Sequence, residues 1–178
     1  MGTIKDYFLQ FKSKLAAERS NVKRYTQHYN EVKNIGILFN IRDMSKYQSL
    51  NDLVDQLKRD GKRISLMTYM DLDVMHSNPY NFQFDWFTKK HISVTGQIKS
   101  HQVDNFVEQG FDYLYCIYLE PFLPFDNILA RSKAKCRVGK YFEGQENHLE
   151  LMINLEEEGS IDRLIDEMFT LTKKMNLR

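Results

Sequence analysis

Residues 34–40 read Asn-Ile-Gly-Ile-Leu-Phe-Asn, a short apolar run bounded by asparagine. This pattern is typical of a strand that is buried on both faces of a parallel sheet. A helical pattern follows over residues 49–60, with Ser49 as its expected N-cap and Gly61 as its stop, and a second apolar run covers residues 64–69. The three segments together take about 35 residues, which is the length of a right-handed parallel crossover. They predict an α/β domain.

The alternation of strand and helix continues to the end of the chain. Residues 70–90 are predicted to be a long loop with room for one short strand. Further strands are expected at residues 92–95 (an edge strand), 111–119, 136–139 and 149–155, and further helices at 101–109, 124–132 and 161–175. We therefore predict one Rossmann-like, three-layer α/β domain over residues 1–178, with a mostly parallel sheet of about five to six strands. The order 3-2-1-4-5-6 is the default for this class, although the sequence does not determine it.

An extra helix is predicted before the first strand. Residues 1–30 are assigned to this N-terminal amphipathic helix, with Thr3 as its N-cap, and residues 31–178 to the Rossmann-like core. Its apolar residues recur at helical spacing: Ile4, Tyr7, Phe8, Phe11, Leu15, Val22 and Tyr25. Because the helix lies outside the repeating unit, it either packs across the sheet or offers its stripe to a second subunit. A homodimer through this helix is therefore one expected partnership.

Composition excludes several classes of protein. The net charge of +1 gives no global field for nucleic acid or membrane. The longest apolar run, Tyr113 to Leu119, is far shorter than the roughly 20 residues of a membrane span. The N-terminus lacks the apolar stretch of a secretory signal, so we expect a cytoplasmic protein without a membrane partner. Cys116 and Cys136 fall in predicted strands, where we expect them to be buried and reduced.

The usual catalytic motifs do not occur in this sequence. There is no glycine-rich dinucleotide loop after the first strand, no phosphate loop, no His-Glu-x-x-His, no paired-cysteine motif and no Gly-x-Ser-x-Gly. We therefore predict no cofactor and assign no catalytic residue.

Ligands of open α/β sheets bind at the carboxyl ends of the strands, where the strand order switches. The polar residues expected at that edge, and therefore the candidate ligand-binding residues, are Asn40, Asp43, Asp71, Asp73, His76 and Glu120. Asp71 and Asp73 could share a divalent cation that grips a diphosphate. A solvated loop is the commoner role of such a pair, so no metal site is predicted.

A run of basic residues near residue 135 is the most asymmetric local feature of charge. Its members are Arg131, Lys133, Lys135 and Arg137. They are candidates to bind phosphate or an RNA backbone. The alternative is a solvated helix C-terminus, where cations are favoured by the helix dipole.

Two segments carry a resemblance to known families. Residues 111–118 read Phe-Asp-Tyr-Leu-Tyr-Cys-Ile-Tyr, and residues 132–139 read Ser-Lys-Ala-Lys-Cys-Arg-Val-Gly. These segments resemble an uncharacterised family of small bacterial α/β proteins, which implies no established activity. Residues 33–140 are more distantly similar to the N-terminal, Rossmann-like half of heptosyltransferase-type glycosyltransferases. That resemblance implies the fold, and it puts Asp43 near the position of the catalytic base.

Three functional hypotheses follow. The first is a non-catalytic Rossmann-like binding or interaction domain, supported by the missing motifs and by the uneven charge. The second is a small transferase for a phosphorylated or nucleotide-linked substrate, acting through Asp43, Asp71, Asp73 and His76. The third is an RNA- or ribosome-associated protein that uses the basic run.

Overall fold

A computed structural model describes residues 3–40, 47–70, 83–155 and 159–175. In these ranges the helices are α1 (Ile4–Glu18), α2 (Tyr47–Arg59), α3 (His101–Glu108), α4 (Leu123–Arg131) and α5 (Ile161–Lys174). The strands are β1 (Asn34–Phe39), β2 (Arg63–Tyr69), β3 (Asp85–Phe87), β4 (Tyr113–Ile117), β5 (Cys136–Lys140) and β6 (Leu151–Ile153). Short 3-10 turns lie at Tyr29–Glu31, Lys89–His91 and Glu146–His148.

The six strands form one parallel sheet in the order β3-β2-β1-β4-β5-β6. In the central register, Ile37 of β1 lies between Leu66 of β2 and Tyr115 of β4. The predicted α/β class with a parallel sheet is confirmed, and the order is the default one for this class. The strand order reverses between β1 and β4, so the switch point lies at the carboxyl ends of these two strands.

The sheet separates two apolar cores. One core lies against α2 and α5, and the other lies against α3 and α4. Every residue of β4 is buried, and its side chains alternate between the two cores. Tyr113 and Tyr115 face the first core, and Leu114 and Cys116 face the second. The tyrosine-rich strand is therefore core.

The N-terminal helix is confirmed, but it ends at Glu18 and not near residue 29. From Ser20 the chain runs without regular structure along the amino-terminal edge of the sheet. There the backbone N–H of Tyr25 donates to the carbonyl of Lys135 at 2.9 Å. The Arg24 guanidinium donates to the carbonyl of Ser132 at 3.0 Å. In this segment, hydrogen bonds to distant residues take the place of the bonds that a longer helix would make within itself.

The edge strand predicted at residues 92–95 is wrong, because the two edge strands of the sheet are β3 and β6. Ile92 makes only an isolated antiparallel bridge to Ile98, which closes a tight turn from Ser93 to Gly96. Helix α2 also begins before its predicted cap, and the hydroxyl of Ser49 instead donates to Asp162 at 2.6 Å. None of the helices in the described ranges is long and apolar enough to cross a membrane.

Gly96 is required by two independent features of its turn. Its φ is +69°, and a Cβ at this position would lie 2.5 Å from the backbone nitrogen of Leu9 in α1. Gly61 has a similar φ of +73°, but a Cβ there would meet no atom within 4 Å. We expect Gly61→Ala to cost about 1 kcal/mol, and Gly96→Ala to cost about 1–3 kcal/mol more because α1 must move. Urea unfolding of both variants measures the difference, and equal costs would show that the turn does not press on α1.

Candidate functional site

The carboxyl-end edge of the sheet holds the predicted ligand residues that the structure describes. Asn40 is half-buried directly after β1, and its backbone N–H donates to the carbonyl of Ile117 in β4 at 3.2 Å. Glu120 is exposed shortly after β4. Both residues therefore follow the two strands that flank the switch point. The other four candidates, Asp43, Asp71, Asp73 and His76, lie outside the described residues, so the ligand site stays a prediction.

Helix α4 begins at this edge without the features of a phosphate cradle. Its N-cap, Phe122, makes no side-chain capping bond, and Pro124 and Asp126 occupy its first turn. A phosphate site at a helix N-terminus needs small residues so that the backbone can approach the anion. The first turn of α4 has bulky and acidic residues at these positions. The start of α4 therefore does not support a nucleotide-binding role.

A buried carboxylate that sequence reasoning missed lies in the same turn. The Asp126 carboxylate is 3.4 Å from Nδ1 of His148 and accepts a hydrogen bond from Nε2 of Gln145 at 3.3 Å. Asp126 is only 4% exposed. The Gln145 hydrogen bond links the β5–β6 connection to α4, whereas Oδ1 of Asp126 and Nδ1 of His148 are buried without a hydrogen-bond partner. Nothing in the local sequence indicates the pair, because the two residues meet only through the fold.

Each of the four predicted anion-binding residues has a carboxylate partner in the same chain. The pairs are Arg131 with Asp104 at 2.5 Å, Lys133 with Glu108, Lys135 with Asp112 at 2.7 Å, and Arg137 with Glu150 at 2.7 Å. Arg137 is also buried within the sheet layer. The structure does not bring the four cations together as one open basic patch. Phosphate or RNA binding through them stays a prediction, and these pairings do not support it.

The two cysteines are buried in neighbouring strands of the sheet. Burial raises the pKa of the Cys136 thiol to about 12 and raises the pKa of the Cys116 thiol further. A protonated thiol is a poor nucleophile at neutral pH. Among the described residues, no three or more His, Cys, Asp or Glu side chains are grouped so that they could hold a metal ion.

The most unusual surface of the described chain lies on α1. Four of its apolar residues face solvent, and we call them the α1 stripe: Ile4 is 78% exposed, Tyr7 70%, Phe8 40% and Phe11 56%. Their spacing of i, i+3, i+4 and i+7 is that of a helix face made for packing. In this chain, however, the face is left open.

The opposite face of α1 is the one that contacts the domain. Leu9 and Ser13 are its buried residues, and α1 packs against α4. The hydroxyl of Ser13 donates to the Leu9 carbonyl at 2.8 Å and accepts from the amide of Asn127 in α4 at 3.3 Å. At 100° per residue, Leu9 and Ser13 lie on the side of the helix away from the stripe. Leu9 and Ser13 therefore anchor α1, while the four apolar residues of the α1 stripe remain available.

Comparisons with known proteins identify a family but no activity. No curated protein and no solved structure matches the chain, so the likeness to heptosyltransferase-type glycosyltransferases has no support. One family model, described as a family of unknown function (DUF6913), matches residues 5–175. The match includes almost all of α1, which makes the helix part of the family's shared unit. The predicted membership of an uncharacterised family is thus confirmed, and the chain belongs to DUF6913, a family of unknown function.

Proposed function

We propose that this protein is a non-catalytic interaction domain that binds an apolar helix face of a partner protein through the α1 stripe. One observation carries the proposal: α1 buries Leu9 and Ser13 against the domain and presents four large apolar side chains to solvent. A helix that served only to cover α4 would be expected to bury its apolar face.

The size of the α1 stripe supports a binding role. A fully buried aromatic side chain covers about 150–250 Å², so the exposed parts of the four residues amount to roughly 500 Å². The largest contiguous apolar patch on a typical monomeric protein covers about 300–600 Å² and often has a function, so the stripe has the size of such a patch. At about 25 cal/mol per Å², covering the stripe contributes on the order of 10 kcal/mol before the costs of association.

The shape of the stripe favours a helix as the partner element. The stripe is one helix wide, and exposed polar side chains, Gln10 and Lys14, stand beside it. Rows of side chains at i, i+4 and i, i+3 spacing pack into the grooves between such rows on another helix. Tyr7 and Phe8 already contact each other edge to face at 6.2 Å, which forms a firm ridge.

A capture experiment tests the proposal. Wild type, Tyr7→Glu/Phe11→Glu and the control Gln10→Glu are immobilised and exposed to lysate of the source cells. Captured proteins, including untagged copies of this chain, are then quantified by mass spectrometry. All three changed side chains are exposed, so unfolding free energies should stay within about 0.5 kcal/mol of one another. We expect a captured protein, once purified, to bind wild type and Gln10→Glu at least tenfold more tightly than the stripe variant.

The opposite result is equally clear. If the stripe variant captures the same proteins as wild type with unchanged affinity, then the α1 stripe is not the binding surface. Capture that disappears after RNase treatment would instead favour the RNA hypothesis.

A further inference from the structure

We infer that the open edge of β6 binds an extended segment of another protein, which adds a seventh strand to the sheet and pairs one basic and one acidic side chain with helix α5. The inference goes beyond the proposed function and does not depend on the α1 stripe. It rests on the backbone groups of β6, on a groove beside this strand and on the charges along α5.

The backbone of β6 has hydrogen-bonding groups that no described residue uses. The carbonyl of Ile153 accepts from the N–H of Tyr141 at 2.8 Å, so the backbone groups of Ile153 point towards β5. In a parallel strand, the N–H and C=O groups of successive residues point alternately to the two sides. Those of Met152 and Asn154 therefore point away from β5, towards the open edge of the sheet. Such groups are a template for one more strand.

A groove of about 410 Å³ lies between this edge and α5. Residues 152–154 form one wall of the groove, and one side of α5 forms the other. Ile153 and Leu171 give the groove an apolar part, since both belong to the core that lies against α5. Neighbouring strands of a sheet are about 4.8 Å apart. A strand added beside β6 would therefore occupy the groove, with one of its faces against α5.

A row of polar side chains lies along the α5 wall of the groove. Asp166, Thr170 and Lys174 follow each other at intervals of four residues, so they lie on one side of the helix. Asp166 and Lys174 are exposed, and neither has an ion-pair partner in the part of the chain that the structure describes. Their positions are about 12 Å apart along the helix axis, at about 1.5 Å per residue. The α5 wall therefore has an unpaired negative charge at one end and an unpaired positive charge at the other.

The spacing of this row matches an extended chain. Four residues of a helix rise by about 6 Å, and two residues of a strand rise by about 6.6 Å. Side chains two residues apart on a strand point to the same face, so three alternate residues of an added strand would face Asp166, Thr170 and Lys174 in turn. Charge complementarity then requires a basic side chain opposite Asp166 and an acidic one opposite Lys174.

The residues between these three would point to the other face of the sheet. Ile153 faces the core beside α5, so the side chain of its neighbour Met152 lies on that other face. Met152 is 39% exposed. Apolar side chains of the added strand can cover it. The expected binding segment is therefore extended, with a basic and an acidic residue four positions apart and apolar residues between them.

Titration calorimetry with synthetic peptides measures the binding. Two peptides with blocked termini have the cores Lys-Val-Thr-Val-Glu and Glu-Val-Thr-Val-Lys, because a strand can pair with β6 in either direction. We expect at least one of them to bind wild type with a Kd below about 1 mM. Tyr7→Glu/Phe11→Glu should bind this peptide like wild type, because the α1 stripe is not part of the site.

Reversal of one charge tests the pairing with α5. Asp166→Lys makes both ends of the α5 wall positive, so it should weaken the tighter peptide about fivefold. The same variant should bind a peptide with the core Glu-Val-Thr-Val-Glu more tightly than wild type does. Asp55→Lys is the matched control, because it makes the same change of charge at an exposed position of α2 outside the groove. It should leave the affinities for all three peptides nearly unchanged.

Met152→Pro tests the backbone bonds. Proline lacks the N–H that Met152 directs to the open edge, and an edge strand tolerates proline at such a position because the bonds to β5 remain. We expect Met152→Pro to bind the tighter peptide at least about tenfold more weakly than Met152→Ala, which loses the same side chain but keeps the N–H. Urea unfolding of both variants checks that the fold is kept.

N-methylated peptides test the same bonds on the wild-type protein. N-methylation of both valines removes the N–H donors on one side of the extended peptide, and N-methylation of the other three core residues removes those on the other side. Only one side can pair with β6. One of the two methylated peptides should therefore bind at least about tenfold more weakly than the other.

Four results would overturn the inference. The first is that neither of the two peptides binds wild type. The second is that the two methylated peptides bind equally, or that Asp166→Lys and Asp55→Lys bind all peptides alike. The third is that Tyr7→Glu/Phe11→Glu loses the peptide, which would place the binding on α1. The fourth is a wild type that sediments as a dimer while Met152→Pro is monomeric, because the edge of β6 would then pair with a second copy. None of the first two results affects the α1 stripe, which the capture experiment tests separately.

Discussion

The variant Arg137→Met is expected to lose about 3–5 kcal/mol of unfolding free energy. Arg137 is 6% exposed, and its guanidinium donates to both carboxylate oxygens of Glu150 at 3.0 and 2.7 Å. It also donates to the carbonyls of Leu129 and Asn147, each at 3.2 Å. Methionine fills similar space but leaves the Glu150 carboxylate without its main counter-charge. The Nε of Arg24 lies 3.7 Å from the Glu150 carboxylate and replaces this counter-charge only in part.

Urea unfolding of matched variants separates burial from charge. Lys133→Met removes a cation of the same basic run, but Lys133 and Glu108 are both more than half exposed. Such pairs contribute about 0–1 kcal/mol, so this control should be nearly neutral. Arg137→Met/Glu150→Met should recover part of the loss, because no carboxylate then remains without its partner. Similar costs for Arg137→Met and Lys133→Met would refute a structural role for Arg137.

The variant Asp112→Ala is expected to lose about 2–4 kcal/mol at pH 7. Asp112 lies just before β4 and is 5% exposed. Its carboxylate accepts the backbone N–H groups of Lys33 and Asn34 at 2.7 and 3.0 Å and the Lys135 ammonium at 2.7 Å. These bonds join the starts of β1, β4 and β5. Alanine leaves two backbone donors without their acceptor and Lys135 without its counter-charge.

The same carboxylate makes stability depend on pH. Burial alone would raise the pKa of Asp112, but hydrogen bonds from Lys135, Asn34 and Lys33 outweigh it, so the pKa is lowered. The pKa of an aspartate in an unfolded chain is about 3.9. A lowered folded pKa means that the contribution of Asp112 is complete above that pH and is lost as pH falls through the folded pKa.

Unfolding free energies from pH 7 down to pH 3 test this sign. We expect wild type to lose stability on the acid side and Asp112→Asn to show a smaller loss there. Asp104→Asn is the control, because its pair with Arg131 is exposed, and it should change stability at pH 7 by less than about 1 kcal/mol. A wild type and an Asp112→Asn variant with parallel pH profiles would contradict the lowered pKa.

The features that depend on neighbours along the chain were predictable. Thr3 is the N-cap of α1, as expected, and Ser100 and Ser160 cap α3 and α5 in the same local way, because each side chain bonds a backbone N–H only three residues ahead. Strands β1, β2 and β4 follow from apolar runs that can be buried only inside a sheet. The candidate ligand edge follows from the class of fold, although most of its residues lie outside the described ranges.

The sequence by itself determined the α/β class, the N-cap of α1, the buried strands and the existence of an apolar stripe on α1. Only the tertiary structure decided that α1 ends at Glu18, that its stripe faces outward, and that the basic run is paired with acids. The physical reason is the range of the contacts. Asn127 reaches Ser13 across 114 residues and Arg24 reaches Ser132 across 108, and such bonds leave no periodic signal in the chain.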